Sequence, residues 1–322
     1  MIITLTMNPS IDYLYNMDSL KLGSQNRSEN PVRMIGGKGL NAARTSAILG
    51  SKVNTYGALA GINGEILKKL TQNEKFSMDF IELNVGETRN ALTIMHDGGT
   101  QTEIVEEGPH INQKVEKKIL NDILRACREN INVTSICLSG SVNSKNQHLY
   151  KEYIEKISNE FPDIKILVDI SREQLKSVLL GNKKPYFIKP NIHEFSEIIN
   201  IECIDKKDVI YQLKKQTIFD GIDLILISCG EKGAIVKYNG DIYDLVVPSI
   251  SLVNPTGSGD ATVGGAAFAI DNQMKIEDVL RYSMACGVAN AMEKAVGFVT
   301  VSNVDEIREQ VEIKKIRRLS PI

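Results

Sequence analysis

Residues 254–268 read Asn-Pro-Thr-Gly-Ser-Gly-Asp-Ala-Thr-Val-Gly-Gly-Ala-Ala-Phe, and they carry more information about the fold than any other stretch. Three small residues, Gly257, Ser258 and Gly259, allow the backbone to approach a ligand closely. The run of small apolar residues that follows them is typical of a buried helix. The turn is therefore predicted to lie at a helix N-terminus, where free N–H groups and the helix dipole favour a phosphoryl group.

The carboxylate that follows this turn is a candidate catalytic base. Asp260 would lie in the first helical turn, where it could accept the proton of a hydroxyl group that attacks a phosphorus atom. An acidic residue near a helix start is also favoured for electrostatic reasons alone, so a plain capping turn is the alternative interpretation. The other motifs of the chain have to decide between the two.

A second glycine cluster, Gly36-Gly-Lys-Gly-Leu-Asn-Ala-Ala43, also precedes a predicted helix. Through Gly37, Gly39 and Ala42 it satisfies the GxGxxA pattern of dinucleotide-binding folds. However, the cluster follows a polar segment rather than the first strand, and no ribose-binding acid is evident after a second strand, so an NAD-linked dehydrogenase is not indicated. Lys38 is followed by glycine instead of Ser or Thr, which excludes a Walker A loop.

Composition limits the classes of function that remain. The chain has 322 residues, of which 42% are hydrophobic, enough for a large core. Its net charge of -2 gives no global attraction to nucleic acid or to an anionic membrane, and its five spaced cysteines without a CxxC pair argue against a disulfide framework or a zinc site.

Residues 1–7 lack the features of a signal peptide and no long apolar run occurs, so we predict a cytoplasmic protein. We interpret the basic run Lys314, Lys315, Arg317 and Arg318 as a solvated helix end without a function.

Strands and helices are predicted to alternate along the chain. Short β-branched runs typical of buried strands occur at Ile2 to Met7, Ser135 to Leu138, Ile164 to Val168, Tyr186 to Ile188 and Leu224 to Ile227. Helical periodicity covers roughly residues 38–49, 113–129, 144–160, 193–201 and 206–218. This order is typical of βαβ units, so we predict an α/β fold: a doubly wound, mostly parallel sheet with helices on both faces.

Two segments interrupt this alternation. Ile11 to Ile35 is polar and rich in turns, and Ala91 to Val105 alternates apolar and polar residues around Asp97-Gly98-Gly99, which predicts a hairpin. No linker or repeat divides the chain. We therefore predict one domain over residues 1–322, with a small β-lid inserted from about residues 11–35 and 88–107.

Taken together, the two glycine motifs resemble the signatures of a known family. Gly36-Gly-Lys-Gly-Leu-Asn41 and Asn254-Pro-Thr-Gly-Ser-Gly-Asp260 are similar to the paired motifs of the ribokinase-like (phosphofructokinase B) carbohydrate kinases. Three further blocks, Thr4 to Asp12, Gly86 to Asn90 and Thr102 to Pro109, resemble the branch that contains tagatose-6-phosphate kinase and 1-phosphofructokinase. The resemblance implies a kinase that moves the γ-phosphoryl group of ATP, with Mg²⁺ as cofactor, onto a hydroxyl group of a ketohexose phosphate.

The same resemblance ranks the substrates. The amino-acid sequences of three blocks, Gly39-Leu-Asn41, Thr88-Arg-Asn90 and Asn254-Pro255, resemble tagatose-6-phosphate kinase more than 1-phosphofructokinase. This resemblance favours D-tagatose 6-phosphate as the substrate, with D-fructose 1-phosphate as the alternative. A non-catalytic sensor of a sugar phosphate or nucleotide is a further alternative, but a sensor has no need of the base. Several members of the family dimerise through the lid, and an exposed hairpin would present unpaired strand edges, so we predict a homodimer.

The resemblance also implies roles for individual residues. Asp260 corresponds to the catalytic base, and Gly257, Ser258 and Gly259 correspond to the anion hole. The residues implied in binding ATP are Lys189, Asn191, Glu194, Ser228, Gly230, Gly233, Leu252, Met284, Gly287 and Val288. Asn191 and Glu194 would also hold magnesium, largely through water, although their spacing is equally that of a capping box. The residues implied in binding the sugar phosphate are Asp12, Arg27, Gly37, Lys38, Asn41, Arg89 and Ser139.

Two cations among these residues, and two positions at which the sequence differs from this branch of the family, affect the choice of substrate. Lys38 and Arg89 brought together over a phosphate would give charge-assisted hydrogen bonds. The segment that starts at Ser139, Ser-Gly-Ser-Val-Asn, lacks the proline that usually follows the Ser-Gly-Ser turn, which questions Ser139 as a phosphate contact. Asp169-Ile-Ser-Arg172 has arginine where the branch has glycine, which questions the choice of sugar phosphate.

Overall fold

A large β-sheet and a smaller one form the framework of the protein. The computed structural model describes residues 1–316. The strands in this range are β1 (Ile2–Thr6), β2 (Ser10–Asn16), β3 (Val32–Gly36), β4 (Val53–Ala60), β5 (Ser77–Leu83), β6 (Arg89–His96), β7 (Thr100–Val105), β8 (Ser135–Ser139), β9 (Lys165–Asp169), β10 (Phe187–Ile188), β11 (Leu224–Ser228), β12 (Ala234–Tyr238), β13 (Asp241–Val246) and β14 (Glu312–Ile316).

Helices connect most of these strands. They are α1 (Lys38–Ile48), α2 (Gly61–Thr71), α3 (Gln113–Glu129), α4 (Leu149–Glu160), α5 (Arg172–Leu179), α6 (Ile192–Ile199), α7 (Lys206–Lys215), α8 (Ser258–Asp271), α9 (Ile276–Ala291) and α10 (Val301–Gln310). Within residues 1–316, no helix combines the length and the apolar character needed to cross a lipid bilayer.

The large sheet has the strand order β14-β13-β12-β11-β10-β9-β8-β1-β4-β5. Neighbours from β11 to β5 are parallel, whereas β12 to β14 form an antiparallel extension. From β1 the chain adds β4 and β5 on one side and β8 to β11 on the other, so the direction of winding reverses between β1 and β8. The crevice at the carboxyl ends of strands at such a reversal is the usual ligand site of an open α/β sheet. The predicted doubly wound, mostly parallel sheet is confirmed.

Both faces of the sheet are covered, as β1 shows. Ile3 and Leu5 pack in one hydrophobic core with Ile123 of α3 and Tyr153 of α4. Ile2 packs in the other core, which contains residues of α1, α8 and α9. All three β1 residues are fully buried. Such near-continuous burial is typical of parallel strands and explains why their sequences are almost uniformly apolar.

The smaller sheet, which we call the lid sheet, contains β2, β3, β6 and β7 in the order β3-β2-β6-β7. Strands β2 and β6 are parallel, and the other two pairs are antiparallel. The turn between β6 and β7 is the predicted Asp97-Gly98-Gly99, and all three residues have positive φ angles. The strands fall within or next to the predicted segments, and the role of this sheet as a lid stays a prediction.

Several elements differ from the prediction. Helix α4 begins only at Leu149, not near residue 144, and the β12–β13 hairpin was missed although its Asn239-Gly240 turn, left-handed at both residues, is a typical hairpin signal. Lys314 and Lys315 lie on β14, so the interpretation of the basic run as a helix end is wrong for them. Arg317 and Arg318 lie outside the described residues.

Arg172, which stands where this branch of the family has glycine, has an unusual backbone conformation. Arg172, the first residue of α5, has a φ of 55°. In this left-handed region the Cβ atom crowds the backbone, so residues other than glycine, Asn and Asp rarely adopt it. The resemblance expects glycine here, and the backbone angle provides the physical reason.

We expect Arg172→Gly to raise the free energy of unfolding by about 1 kcal/mol, because glycine adopts this φ without strain. Urea unfolding measures the change. Arg172→Ala is the matched control, since it removes the charge but keeps the Cβ atom and should bring no such gain. Equal stabilisation by both variants would show that charge, and not backbone strain, is responsible.

Candidate active site

Helix α8 begins at the glycine turn, as predicted. Gly257 precedes the helix with a φ of 80°, a conformation that favours glycine. Asp260 follows in the first helical turn, and only 8% of it is exposed. Gly257 and Gly259 line the crevice beside Asp260, whereas the N–H of Ser258 donates to a carbonyl oxygen within the turn at 3.2 Å. The glycines, more than Ser258, therefore present the helix N-terminus to a ligand.

The environment of Asp260 suits a general base. Asn41 Nδ2 donates a hydrogen bond of 2.8 Å to Asp260 Oδ2 and thereby orients the carboxylate. Burial raises the pKa of Asp260 to about 7; the charge of Lys38 opposes this shift and that of Asp169 adds to it. A carboxyl group that titrates near neutral pH is well matched to proton transfer. Asn41, predicted as a sugar contact, thus also holds the candidate base.

A buried carboxylate joins two lysines next to this base. Asp169, at the end of β9, is 2% exposed, and its Oδ1 lies 3.3 Å from Lys38 Nζ and 3.6 Å from Lys189 Nζ. Burial disfavours its charged form, yet the two ammonium groups hold the pKa of Asp169 below its usual value. A Cβ atom built on Gly259 would lie 2.9 Å from Lys189 Nζ, so this ammonium group lies against the glycine turn. Two cations therefore flank the N-terminus of α8.

A cavity of about 920 Å³ extends from these groups past the ends of β10 and β11. Its volume is within the range of small-molecule sites. The predicted site residues that line it are Lys38, Lys189, Asn191, Glu194, Ser228, Gly230, Gly257, Gly259 and Asp260. The structure thus brings the candidate base and most of the predicted phosphate-binding residues to one cavity.

Asn191 and Glu194 form the capping box of α6. Asn191 Oδ1 accepts from the N–H of Glu194, and Glu194 Oε2 accepts from the N–H of Asn191, both at 2.9 Å. Both side chains also line the cavity. Residues 1–316 contain no cluster of three or more His, Cys, Asp or Glu that could enclose a metal ion. One carboxylate and one amide at the cavity wall do fit Mg²⁺, which keeps most of its waters and binds substrate phosphates.

The remaining predicted nucleotide residues do not line this cavity. A Cβ atom on Gly233 would lie 2.1 Å from a carbonyl oxygen of β13, and one on Gly287 would lie 2.4 Å from Thr262 Oγ1 of α8, so both glycines permit close packing. Met284 is buried and Leu252 is 62% exposed. The place of Gly233 in the nucleotide loop stays a prediction, and so does contact of adenine with Leu252, Met284, Gly287 and Val288.

Asp12 and Arg89 lie on paired strands of the lid sheet. Asp12 Oδ1 accepts from Ser10 Oγ at 2.6 Å, and Arg89 Nε donates to the carbonyl oxygen of Asn8 at 3.2 Å. Burial raises the pKa of Asp12 and lowers that of Arg89, while the attraction between them opposes both shifts. Arg27 lies exposed between β2 and β3, with Gln25 as its hydrogen-bond partner. Asp12 and Arg89 therefore belong to one polar surface, and Arg27 lies on an exposed connection.

Gly37 joins the lid sheet to α1. It is the only residue between β3 and α1, and a Cβ atom on it would lie 2.7 Å from Thr6 Cγ2. The lid sheet also meets the glycine turn from its other edge, where Gln101 Nε2 of β7 donates to Thr256 Oγ1 at 3.3 Å. The lid sheet is thus connected to both glycine motifs.

Among residues 1–316, five of the eight buried side-chain polar atoms without a hydrogen-bond partner lie at the crevice end of the large sheet or at the start of α1. They are Thr6 Oγ1, Asn8 Oδ1, Asn41 Oδ1, Ser139 Oγ and Asp169 Oδ2. Each lies at or just beyond the carboxyl end of β1, β8 or β9, or in the first turn of α1. Buried polar groups without partners are costly, so this concentration indicates a surface that meets a polar ligand.

No role was predicted for Asp169 from the sequence. The signal was available, because this acid directly follows the predicted strand Ile164 to Val168 and the carboxyl ends of parallel strands carry the ligand site. Asp169 is the ion-pair partner of Lys38, whereas Arg89 donates to the carbonyl oxygen of Asn8. The structure thus places the two predicted phosphate-binding cations on different partners, one on Asp169 and the other in the lid sheet.

The raised pKa of Asp260 predicts an effect on stability. Between its unfolded pKa near 4 and its folded pKa of about 7, the folded protein retains a proton that the unfolded chain has lost, so stability decreases as pH rises through this interval. We expect Asp260→Asn to exceed the wild type in free energy of unfolding at pH 8, with a smaller difference at pH 5. Urea unfolding at both pH values measures this.

Asp271, at the other end of α8, is the matched control. Burial opposes its charged form, but hydrogen bonds from the Met1 amine, Thr134 and Ser51 lower its pKa overall. Asp271→Asn should therefore be less stable than the wild type at pH 8. This change in the free energy of unfolding has the opposite sign to that expected for Asp260→Asn. A difference for Asp260→Asn that does not change with pH would contradict the burial argument.

Comparison with known proteins agrees with this geometry. Residues 4–301 match the family described as pfkB family carbohydrate kinase. Phosphofructokinase-2 from Escherichia coli, solved with potassium, has a TM-score of 0.85 and 24% identity over 96% of this chain and 98% of its own. Its tetrameric inhibited form has a TM-score of 0.84, the same identity and the same coverage.

Two other solved structures extend the likeness. A protein from Staphylococcus aureus, assigned provisionally as a phosphofructokinase, has a TM-score of 0.78 and 29% identity over 98% of this chain and 99% of its own. A possible 1-phosphofructokinase from Thermotoga maritima has a TM-score of 0.86 and 18% identity over 98% and 99%. With the family match over nearly its whole length, and with the two glycine motifs and Asp260 meeting in one crevice, this chain belongs to the pfkB family of carbohydrate kinases.

Proposed function

We propose that this protein phosphorylates a ketohexose phosphate with ATP, and that its preferred substrate is D-tagatose 6-phosphate, which it converts to D-tagatose 1,6-bisphosphate. The observation that carries this proposal is the position of Asp260, a buried carboxylate in the first turn of α8 with Lys38 and Lys189 beside it. This arrangement supplies a base and a region of positive potential at the same place. D-Fructose 1-phosphate is the alternative substrate.

In the proposed reaction a sugar hydroxyl oxygen attacks the γ-phosphorus atom of ATP. The new O–P bond forms as the bond to the bridging oxygen breaks, and its electron pair leaves on ADP. Asp260 takes the hydroxyl proton, for which it must first be ionised. The phosphoryl oxygens lie against the N-terminus of α8, where Lys189 contacts the glycine turn, so charge that builds up on them is stabilised by fixed groups.

The cavity beside this centre is the proposed nucleotide site. It is lined by the predicted phosphate-binding residues Lys189 and Asn191 and by Ser228 and Gly230 of the predicted nucleotide loop. When bound, Mg²⁺ neutralises charge on the β- and γ-phosphates. Asn191 and Glu194 would hold its water ligands from the cavity wall, because their side chains are already fixed by the capping box.

The sugar phosphate is proposed to lie on the opposite side of Asp260, beneath the lid sheet. Buried polar atoms of Thr6, Asn8 and Ser139 can pair with sugar hydroxyl groups there. Arg89 is a half-buried cation with no carboxylate oxygen within 4 Å among residues 1–316, which suits a phosphate group. Lys38, held by Asp169, acts on the transferred phosphoryl group instead.

A sensor without catalysis is the second candidate. It would need the cavity and the cations but not a carboxylate with a pKa near 7, and burying such a group lowers stability above neutral pH. The presence of Asp260 therefore favours an enzyme.

We expect ADP release from ATP with D-tagatose 6-phosphate, at a kcat/KM at least about tenfold above that for D-fructose 1-phosphate, because the two substrates carry their phosphates at opposite ends. D-Fructose 6-phosphate belongs in the same series. Asp260→Asn should lower kcat by about 10²–10⁴-fold and leave ATP affinity largely intact. Asp163→Asn, an exposed change in the connection before β9, is the matched control.

Each outcome has a distinct meaning. Preference for fructose 1-phosphate would overturn the substrate and leave the kinase, whereas no ADP release with any of the three would overturn the proposed reaction. Near wild-type turnover by Asp260→Asn would remove Asp260 as the base.

We also propose a homodimer that forms through the lid sheet. Val32, Ile104 and Val105 on its edge strands are 45%, 55% and 51% exposed. Apolar side chains on unpaired strand edges favour association. We expect a dimer in sedimentation, and Ile104→Glu should weaken it at least tenfold, about 1.4 kcal/mol, because a charge would be buried at the interface.

Ile131→Glu is the control for this substitution, because Ile131 is 93% exposed and lies in the connection between α3 and β8. It should leave the dimer unchanged. A wild-type monomer at all concentrations would reject the proposal, and so would equal weakening by both variants.

A further inference from the structure

One carboxylate positions both lysines of the phosphoryl-transfer centre. We propose that Asp169 is a positioning residue that fixes the ammonium groups of Lys38 and Lys189 on either side of the place where the phosphoryl group is transferred. This inference rests on the proposed kinase function and assigns a task to a residue that the motifs leave without one. The contacts of Asp169, its burial and the origins of the two lysines support it.

The two lysines come from distant parts of the fold. Lys38 is the first residue of α1, which follows the lid sheet, and Lys189 follows β10 in the large sheet. Each has a long, flexible side chain, and like charges repel, so nothing intrinsic holds their ammonium groups together. Asp169 Oδ1 contacts both, at 3.3 and 3.6 Å. A single oxygen atom thus sets the spacing between the two cations.

Asp169 is itself rigidly held. It is the last residue of the central strand β9, it is 2% exposed, and its carbonyl oxygen accepts from the N–H of Gly140 at 2.9 Å. Its carboxylate neutralises one of the two positive charges. The remaining charge of about +1 attracts the phosphoryl group, and the pairing offsets the cost of burying the charges of Asp169 and Lys189.

Asp169 also acts on Asp260 through this arrangement. The groups that face Asp260 are Lys38 and Asn41 of α1, Asp169 of β9, and Lys189 from the segment after β10. Asp169 favours the protonated form of Asp260, whereas the lysines favour the ionised form. Removing the charge of Asp169 should therefore lower the pKa of Asp260, both directly and because the lysines are freed to approach it.

The test compares Asp169→Asn, Asp169→Glu and the control Asp271→Asn, a buried-carboxylate change at the far end of α8. We expect Asp169→Asn to lower kcat at least tenfold, while the KM for ATP changes less than threefold. The acidic limb of its kcat pH profile should also move to a pH about one unit lower. Asp169→Glu keeps the charge, so its acidic limb should lie at the same pH as in the wild type, at a reduced kcat. Asp271→Asn should change stability but not the profile.

A second readout does not depend on turnover. The carboxyl ¹³C resonance of Asp260, identified by its loss in Asp260→Asn, should titrate about one pH unit lower in Asp169→Asn than in the wild type. If the wild type shows no kinase activity, the proposed function fails and this titration alone decides the inference. An unchanged titration overturns it. So does a pH profile that moves equally in Asp169→Asn and Asp169→Glu, which would indicate general disruption.

Discussion

The burial of the large sheet on both faces is the constraint on which the rest of this structure depends. Because helices cover both sides of the sheet from β4 to β11, these strands are buried along nearly their whole length and their side chains are mostly apolar. Polar and charged groups can approach one another only where the strands end. At the reversal between β1 and β8 these ends meet the N-termini of α1 and α8, and a crevice with chemical function results.

The same constraint explains why the crevice holds several charges at close range. Two lysines and two aspartates meet there, and Lys189 and both aspartates are buried, so the surrounding charges change the pKa values of Asp169 and Asp260. The neighbouring ammonium groups hold the pKa of Asp169 below its usual value, and burial raises that of Asp260 to about 7. A protein that needed only stability would fill such a place with apolar side chains. The retained charges mark the crevice as functional.

Much of the fold could be predicted from the sequence because its signals are local. The glycine turn, the helix after it and the Asp97-Gly98-Gly99 hairpin all depend on neighbouring residues. Strand order and the contact of Asp169 with both lysines depend on residues far apart in the chain, which periodicity does not reveal. The close packing at Gly233 and Gly287 also involves residues far away in the chain, and the assignment of these glycines to the nucleotide site stays a prediction. The hydrogen bond from Asn41 to Asp260 likewise joins residues far apart in the chain, so the sequence motif predicted only a sugar contact for Asn41.

The connection at Gly37 has a consequence for how the lid sheet and the crevice are coupled. The lid sheet leads through this single residue into Lys38, and a Cβ atom on Gly37 would lie 2.7 Å from Thr6 Cγ2 at the end of β1, so the backbone has little free space there. Any displacement of β3 would therefore be transmitted to the first turn of α1, with Lys38 and Asn41 on it. Because Asn41 donates a hydrogen bond to Asp260, the orientation of this carboxylate is linked mechanically to the position of the lid sheet.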